Sequence, residues 1–479
     1  MRKNLSRILI KGGVLSPAEL KHIVELAENL GLKTISFGSR QDVILSRNKG
    51  EQDFEEMNKI RIIPAGGGGN ENIVSSYVSA DIFHRTSWLT SNRYLYILEQ
   101  FNYPPNIKIN ITDPKQRLVP LYTGHLNFIA SEHEDYWYLY VRLPDWEDTE
   151  MYPVLIFSWD IAKTAREIEN ILQEEPQTTG MIFDLVNDVL DTNNRTVEIP
   201  LEVPFHPFPY YEGMNRLEND SYWLGLYWRN NKYDIEFLKA MCDLCADCKI
   251  GKISITPWKS LIIKGIPVKL KLQWEKFLGK FGINVRHSLL ELNWHLPVAN
   301  NEALKLKKYL VSNFNKNDIS TYGLTFGITD YVRKAYYFTS IVIEKNKPVP
   351  ELSGIKLGDT YNVLYAKNFN PNTHSYIAYV QEVDKVELPG LLIELSKMYF
   401  EQLGNEQEEA KPLKAKKLKP LEIYQCKDCL TIYDPALGDT IQGIDPDTAF
   451  EDLPEDYVCQ LCEAHKSYLT IKTVMKELD

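Results

Sequence analysis

Seven cysteines occur in 479 residues, and they fall in two places only: Cys242, Cys245 and Cys248, then Cys426, Cys429, Cys459 and Cys462. A disulfide framework scatters cysteines over a small secreted chain, whereas clusters with two-residue gaps in a large chain mark metal or redox sites. Each C-terminal Cys-x-x-Cys pair can curl its backbone so that two sulfurs face one ion. Two such turns, separated by twenty-nine residues, build a tetrahedral four-sulfur site suited to iron or zinc. Four thiolates neutralise ferric iron and leave one negative charge; the ferrous form carries one more, which nearby N–H groups must stabilise.

The text between the pairs separates iron from zinc. It contains Tyr424 two residues before the first cysteine, Tyr433-Asp434-Pro435, Gly438-Asp439, Gly443-Ile444, Pro446, Phe450-Glu451-Asp452-Leu453-Pro454, Tyr457 two before Cys459, and Lys466. This stretch closely resembles rubredoxin, and the resemblance implies one iron ion on Cys426, Cys429, Cys459 and Cys462. Rubredoxins usually place glycine after the second cysteine of each pair and proline after the third cysteine. Here Leu430, Glu463 and Gln460 stand there. A side chain where glycine permits positive φ costs about 1–2 kcal/mol. A structural zinc ribbon without redox function is the alternative.

Charge is uneven. Residues 421–479 carry thirteen Asp and Glu against four Lys, so this stretch holds −9 of the net −11. Such a domain repels nucleic acid and favours transient docking on a basic face of a protein partner. Ahead of it, 404–420 (GNEQEEAKPLKAKKLKP) has no aromatic residue and reads as a flexible tether. No run of 18 apolar residues occurs, and the apolar stretch near the N-terminus is three residues long. A membrane span and a signal peptide are therefore not expected, and a cytoplasmic location follows.

The first 403 residues read as two related halves. Ser16 can cap a helix over Pro17–Leu30, with Glu19 completing a capping box, and Leu20, Ile23, Val24 and Ala27 forming the apolar stripe before Gly31. Two short strands follow in Thr34–Ser46. About 218 residues later a helix over Asp234–Cys248, a stop at Gly251 and a strand pair in Lys252–Ile263 repeat the pattern; ISFGSRQDVIL aligns with ISITPWKSLII. Gly66–Gly69 lacks the lysine and spacing of a phosphate loop.

These duplicated units resemble the ferredoxin-like half domains of the nitrite and sulfite reductase family. The resemblance implies an α+β chain: half domains at 1–62 and 206–270, siroheme-domain-like regions at 63–205 and 271–403, a linker at 404–420 and a rubredoxin-like metal-binding domain at 421–479. It also implies that Arg40 and Lys108 contact an anionic siroheme-like ligand. The family's cluster cysteines have no counterparts. Asn293 and Ala299 stand at the first pair of positions and Asp330 and Lys334 at the second, with a parallel arrangement from Ile111-Thr112-Asp113 to Arg117 in the first half. Amide, methyl, carboxylate and ammonium groups cannot replace four thiolates, which argues against siroheme and a 4Fe–4S cluster.

Cys242, Cys245 and Cys248 have the spacing that gives three ligands to a cluster, and form a second candidate metal site. On a continuous helix they would spread over about 120°, so convergence needs the helix to end early; otherwise they are buried core residues. His125 and His295 receive no role. The expected function is an electron carrier serving a redox protein partner: a nitrite, nitrate or sulfite reductase, or a flavin reductase. A divergent siroheme reductase fed by its own rubredoxin arm is the runner-up.

Overall fold

A computed structural model of the chain describes residues 5–46, 62–64, 69–203, 205–217, 220–330, 337–347, 359–409 and 418–477. Gly66–Gly68 and Lys334 lie outside these residues. The chain divides into two units, 1–400 and 401–479.

In the first unit the helix Pro17–Asn29 begins at the expected box. Ser16 Oγ accepts the Glu19 N–H at 3.2 Å, and Glu19 Oε2 accepts the Ser16 N–H at 2.6 Å. Its stripe of Leu20, Ile23, Val24 and Ala27 is buried. The related helix, Ile235–Asp247, is capped by Asp234, whose Oδ1 accepts the Phe237 N–H at 3.0 Å. Its stop differs from the expected Gly251. Lys249 takes the left-handed conformation (φ 57°) and the Ile250 N–H returns to the Cys245 carbonyl at 2.8 Å, which closes the helix two residues earlier. Both helices pack into one core with the strands that follow them.

Those strands form two five-stranded sheets that share material. Strands Leu5–Ile8, Thr34–Phe37, Val43–Ser46 and Ile62–Pro64 gain an edge strand, Tyr233–Asp234, from the second half. Strands Gly213–Leu217, Ser221–Tyr227, Ile253–Ile255 and Ser260–Pro267 gain Val14–Leu15 from the first. Backbone groups that would otherwise lie bare on each edge are thereby paired.

Two further sheets, one of seven strands and one of five, repeat a second pattern. Ile73–Ser75, Ile109–Thr112 and Leu126–Ala130 run parallel before Tyr136–Val141 turns antiparallel. Trp294–His295, Phe326–Asp330 and Ile341–Lys345 run parallel before Thr360–Ala366 does the same. Gln41 ties three of these sheets together. Its Oε1 accepts the Ser75 N–H at 2.8 Å, and its Nε2 donates to the carbonyls of Ser75 (3.0 Å) and Ile255 (2.9 Å), with the side chain fully buried.

The second unit is built on a three-stranded antiparallel sheet, Ile432–Tyr433, Leu418–Cys426 and Leu469–Glu477. Of the tether expected at 404–420, residues 410–417 lie outside the described residues, and the two ends take regular structure. The helix Leu388–Glu409 continues through its first six residues, and the strand from Leu418 takes its last three. Glu and Gln are good helix formers, so a polar run on the end of an apolar helix prolongs it.

Replacing Gln41 with Ala leaves one buried N–H and two carbonyls without partners and should destabilise the first unit by about 3 kcal/mol. All nine tryptophans precede residue 300, so the shift can be read in a denaturant titration followed by tryptophan fluorescence.

Candidate functional site

The two Cys-x-x-Cys segments form matching knuckles. In the first, the Cys426 N–H donates to the Thr431 carbonyl at 2.8 Å and the Leu430 N–H to the Cys426 carbonyl at 3.1 Å. In the second, the Cys459 N–H donates to Ala464 O at 2.8 Å and the Glu463 N–H to Cys459 O at 2.9 Å. These turns require positive φ at the residue after the second cysteine, and Leu430 (φ 63°) and Glu463 (φ 59°) supply it despite their side chains. The glycine positions of the resemblance are therefore geometric requirements that this chain meets under strain.

The four sulfurs lie within 4.8 Å of one another, with Cys429–Cys459 at 3.3 Å and Cys426–Cys462 at 3.6 Å. A tetrahedron with metal–sulfur bonds of about 2.3 Å has edges of about 3.8 Å, so the set fits one ion. Cys426 and Cys459 are buried, Cys429 is half-buried and Cys462 is exposed. Thr431 Oγ1 lies 3.1 Å from Cys429 Sγ; its hydroxyl and N–H hold that thiol down at about 6. At Cys462 the Ala464 N–H also pulls downward, but crowding by the sulfurs of Cys429, Cys426 and Cys459 pushes it up to about 12. A cation between the sulfurs would offset this crowding.

The aromatic residues around the knuckles are packed and bonded. Tyr424 stacks on Phe450 with centroids 3.9 Å apart, and Tyr433 meets Tyr457 edge-on at 5.7 Å. Tyr433 donates to Thr448 O at 2.7 Å, Tyr457 to Asp439 Oδ2 at 2.9 Å, and Lys466 Nζ to Leu453 O at 3.0 Å. Gly438, at φ 65°, has no room for a Cβ, which would sit 2.5 Å from the Asp445 carbonyl oxygen.

Cys242, Cys245 and Cys248 behave differently. The helix continues through Asp247, so the early end needed for convergence does not occur, and all three pack in the apolar core. Burial pushes the Cys242 thiol up to about 12 and Cys245 higher still, which keeps both protonated. Among the described residues only the four C-terminal cysteines gather as a metal-ligating group.

In the first unit, Arg40, Lys108, His295, Gly327 and Thr329 line one cavity of about 380 Å³. Residues singled out from both halves thus meet at one place. Arg40 is turned toward the protein: Nη1 donates to Asn110 Oδ1 at 2.7 Å and Nη2 to the carbonyls of Asn72 (2.7 Å) and Ile109 (2.9 Å). Burial pulls its pKa down to about 10. His125 Nδ1 accepts the Lys108 N–H at 3.2 Å, a structural contact. At the related place in the duplication Trp258 stands for Arg40, packs on Phe208 at 4.6 Å, and leaves about 60 Å³.

The cluster positions hold no sulfur. Asn293 is buried, its Nδ2 donating to Leu324 O at 2.8 Å; Ala299 sits at φ 56°; Asp330 ends a strand. In the first half Asp113 accepts the Thr86 N–H at 2.7 Å and the Lys115 N–H at 2.9 Å, closing its own loop. A 4Fe–4S cluster does not fit this donor set. Sequence reading missed Arg7, Asp42, Glu71 and Lys259. The first three surround the cavity, and Lys259 donates to the Leu296 carbonyl on its wall.

Residues 423–469 match the Rubredoxin family model. The same region is similar to a high molecular weight rubredoxin of Moorella thermoacetica, 54% identical over 43 residues, 9% of this chain and 19% of that protein. It is also similar to the "Probable rubredoxin HupJ" of Rhodobacter capsulatus, 40% identical over 57 residues, 12% of this chain and 20% of that protein. The chain spans about a fifth of the length of these curated relatives. With the four-sulfur geometry, the match defines a C-terminal rubredoxin domain. The remainder has the fold of the Mycobacterium tuberculosis NirA protein, with a TM-score of 0.61 at 15% identity over 82% of this chain and 80% of that one. The chain is a NirA-like body joined to a rubredoxin domain. Among the described residues no helix is long and apolar enough to cross a membrane.

Two outcomes are expected. Leu430→Gly and Glu463→Gly should each relieve about 1 kcal/mol of backbone strain, read as a higher midpoint of thermal unfolding of the C-terminal domain. Burial pushes Lys259 down to about 7 from 10.5. Between these values the unfolded chain binds a proton that the folded chain does not, so stability rises with pH across that window. Lys264 (about 8) and Lys307 (about 7) add to the slope. Lys259→Met should remove its share, measured as a flatter dependence of the denaturation midpoint on pH.

Proposed function

We propose that this protein is an electron carrier: its rubredoxin domain holds one iron ion on Cys426, Cys429, Cys459 and Cys462 and exchanges single electrons with a redox protein partner. The observation that carries this reading is four sulfurs within 4.8 Å of one another, one of them exposed at Cys462. Bound iron supplies one-electron chemistry between its ferric and ferrous states. The chain supplies the rest. The Thr431 and Ala464 N–H groups face the sulfurs of Cys429 and Cys462 and offset the added charge on reduction. The aromatic residues keep water from the buried side, and the exposed sulfur gives a partner a short path.

Thirteen acidic residues against four lysines suit docking on a basic face. The fold of the body supports placing the partner within nitrite, nitrate or sulfite assimilation, as a reductase of that group or the flavin reductase that feeds it. In this reading the body docks the partner or orients the domain. The cysteines stand free of disulfides, which suits a reducing, cytoplasmic compartment. A siroheme reductase with an internal rubredoxin donor competes with this reading, and the missing cluster thiolates weigh against it.

The purified chain should contain one iron per molecule, show ferric thiolate absorption bands and take up one electron reversibly. Cys426→Ser or Cys462→Ser should abolish the bands. Zinc in place of iron after iron-replete expression, or bands that survive both substitutions, would overturn the assignment.

A further inference from the structure

The cavity beside Arg40 and Lys108 stands where the resemblance to siroheme reductases implies a tetrapyrrole, a ligand with several carboxylates. Gripping a carboxylate through two parallel hydrogen bonds takes a guanidinium whose paired N–H groups are open to it. Both arginines on this wall already give N–H groups to the protein, and the one Arg40 nitrogen without a partner, Nε, is buried. Arg40 gives Nη1 to Asn110 and Nη2 to the Asn72 and Ile109 carbonyls. Arg7, on the strand Leu5–Ile8, gives Nε to Asp42 Oδ2 at 2.7 Å and Nη2 to Glu71 Oε2 at 3.1 Å.

The carboxylates are built in. Asp42 is buried, and its Oδ1 packs against Gly38 where a Cβ would stand. A side chain at 38 would expel it, so the turn is shaped around the acid. Oδ1 has no hydrogen-bond partner and is shut off from solvent, which leaves an uncompensated acceptor and a negative charge within the wall that a ligand carboxylate would approach. Burial raises the Asp42 pKa, and Arg7 and Arg40 oppose the rise. Glu71 lies on the same wall. A polycarboxylate brought here meets like charge in a half-buried, low-dielectric site, where repulsion is poorly screened.

We infer that Asp42 and Glu71 take, with the protein's own carboxylates, the place of the ligand's acidic groups, so that this cavity is closed to siroheme and opens when those two charges are removed. The inference rests on reading the body as a carrier's scaffold and deepens it: the body lacks cluster thiolates and has also neutralised the anchors for the tetrapyrrole.

The test is titration of the purified full chain with siroheme, followed by absorption and by co-elution in gel filtration. The wild type should bind weakly and lose siroheme on the column. Asp42→Asn with Glu71→Gln frees the Arg7 fork and should bind at least about tenfold tighter, with Glu71→Gln alone between the two. The double variant leaves Arg7 without a counter-charge. If circular dichroism shows it unfolded, the Glu71→Gln variant decides the question. Stoichiometric retention of siroheme by the wild type, or folded variants that bind no tighter than wild type, would overturn the inference. Iron content and visible bands, measured before siroheme is added, report the C-terminal site separately, so either reading can fail without the other.

Discussion

The body depends on an exchange of edges. Tyr233–Asp234 completes the sheet of the first half by pairing with Thr34 and Ile35, and Val14–Leu15 completes that of the second by pairing with Ile253 and Ser254. An unpaired edge in either half would expose a row of N–H and C=O groups, so each half needs the other in place. The shared core of Leu20, Ile23 and Val24 with Leu238, Met241 and Cys245 follows from this pairing. So does the placing of Ser39–Arg40 from one half on the same cavity wall as His295 and Thr329 from the other. Cys242, Cys245 and Cys248 gain their packing role here as well: a helix at this junction needs small apolar side chains, and free thiols provide them.

Local signals were legible wherever one residue type does one physical job. Ser16 with Glu19 announced a helix start, the repeat of two strand motifs announced the duplication, and four cysteines in two pairs announced the metal-ligating group. Leu430 and Glu463 were legible as departures because the turn geometry is severe enough to demand positive φ whatever side chain is present. The exit of the second helix was not. Lys249 takes the left-handed position although a glycine stands two residues on, because the bond from Ile250 to Cys245 outweighs the small cost of a lysine at that φ. The helical start of the 404–420 stretch was also hidden, since a polar run of good helix formers reads alike in a coil and at the end of a helix.

The cavity was legible only in part. Arg40 and Lys108 could be placed by resemblance, but what a cation does depends on what faces it, and Arg7, Asp42 and Glu71 come from three separate segments. Trp258 at the place related to Arg40 shows how far duplicated positions have diverged. One half keeps a charged wall around a space; the other has filled its counterpart with an indole whose Nε1 donates to Leu118 O at 2.8 Å.

The unequal depth of the four sulfurs has a consequence for how the centre ages. Cys426 and Cys459 begin their knuckles inside the domain, whereas Cys462 lies at its surface. Peroxide or a chelator therefore reaches Cys462 first, so attack there follows from access and not from a low pKa. Damage would proceed from the rim inward, and the two deep sulfurs would be the last to let the ion go.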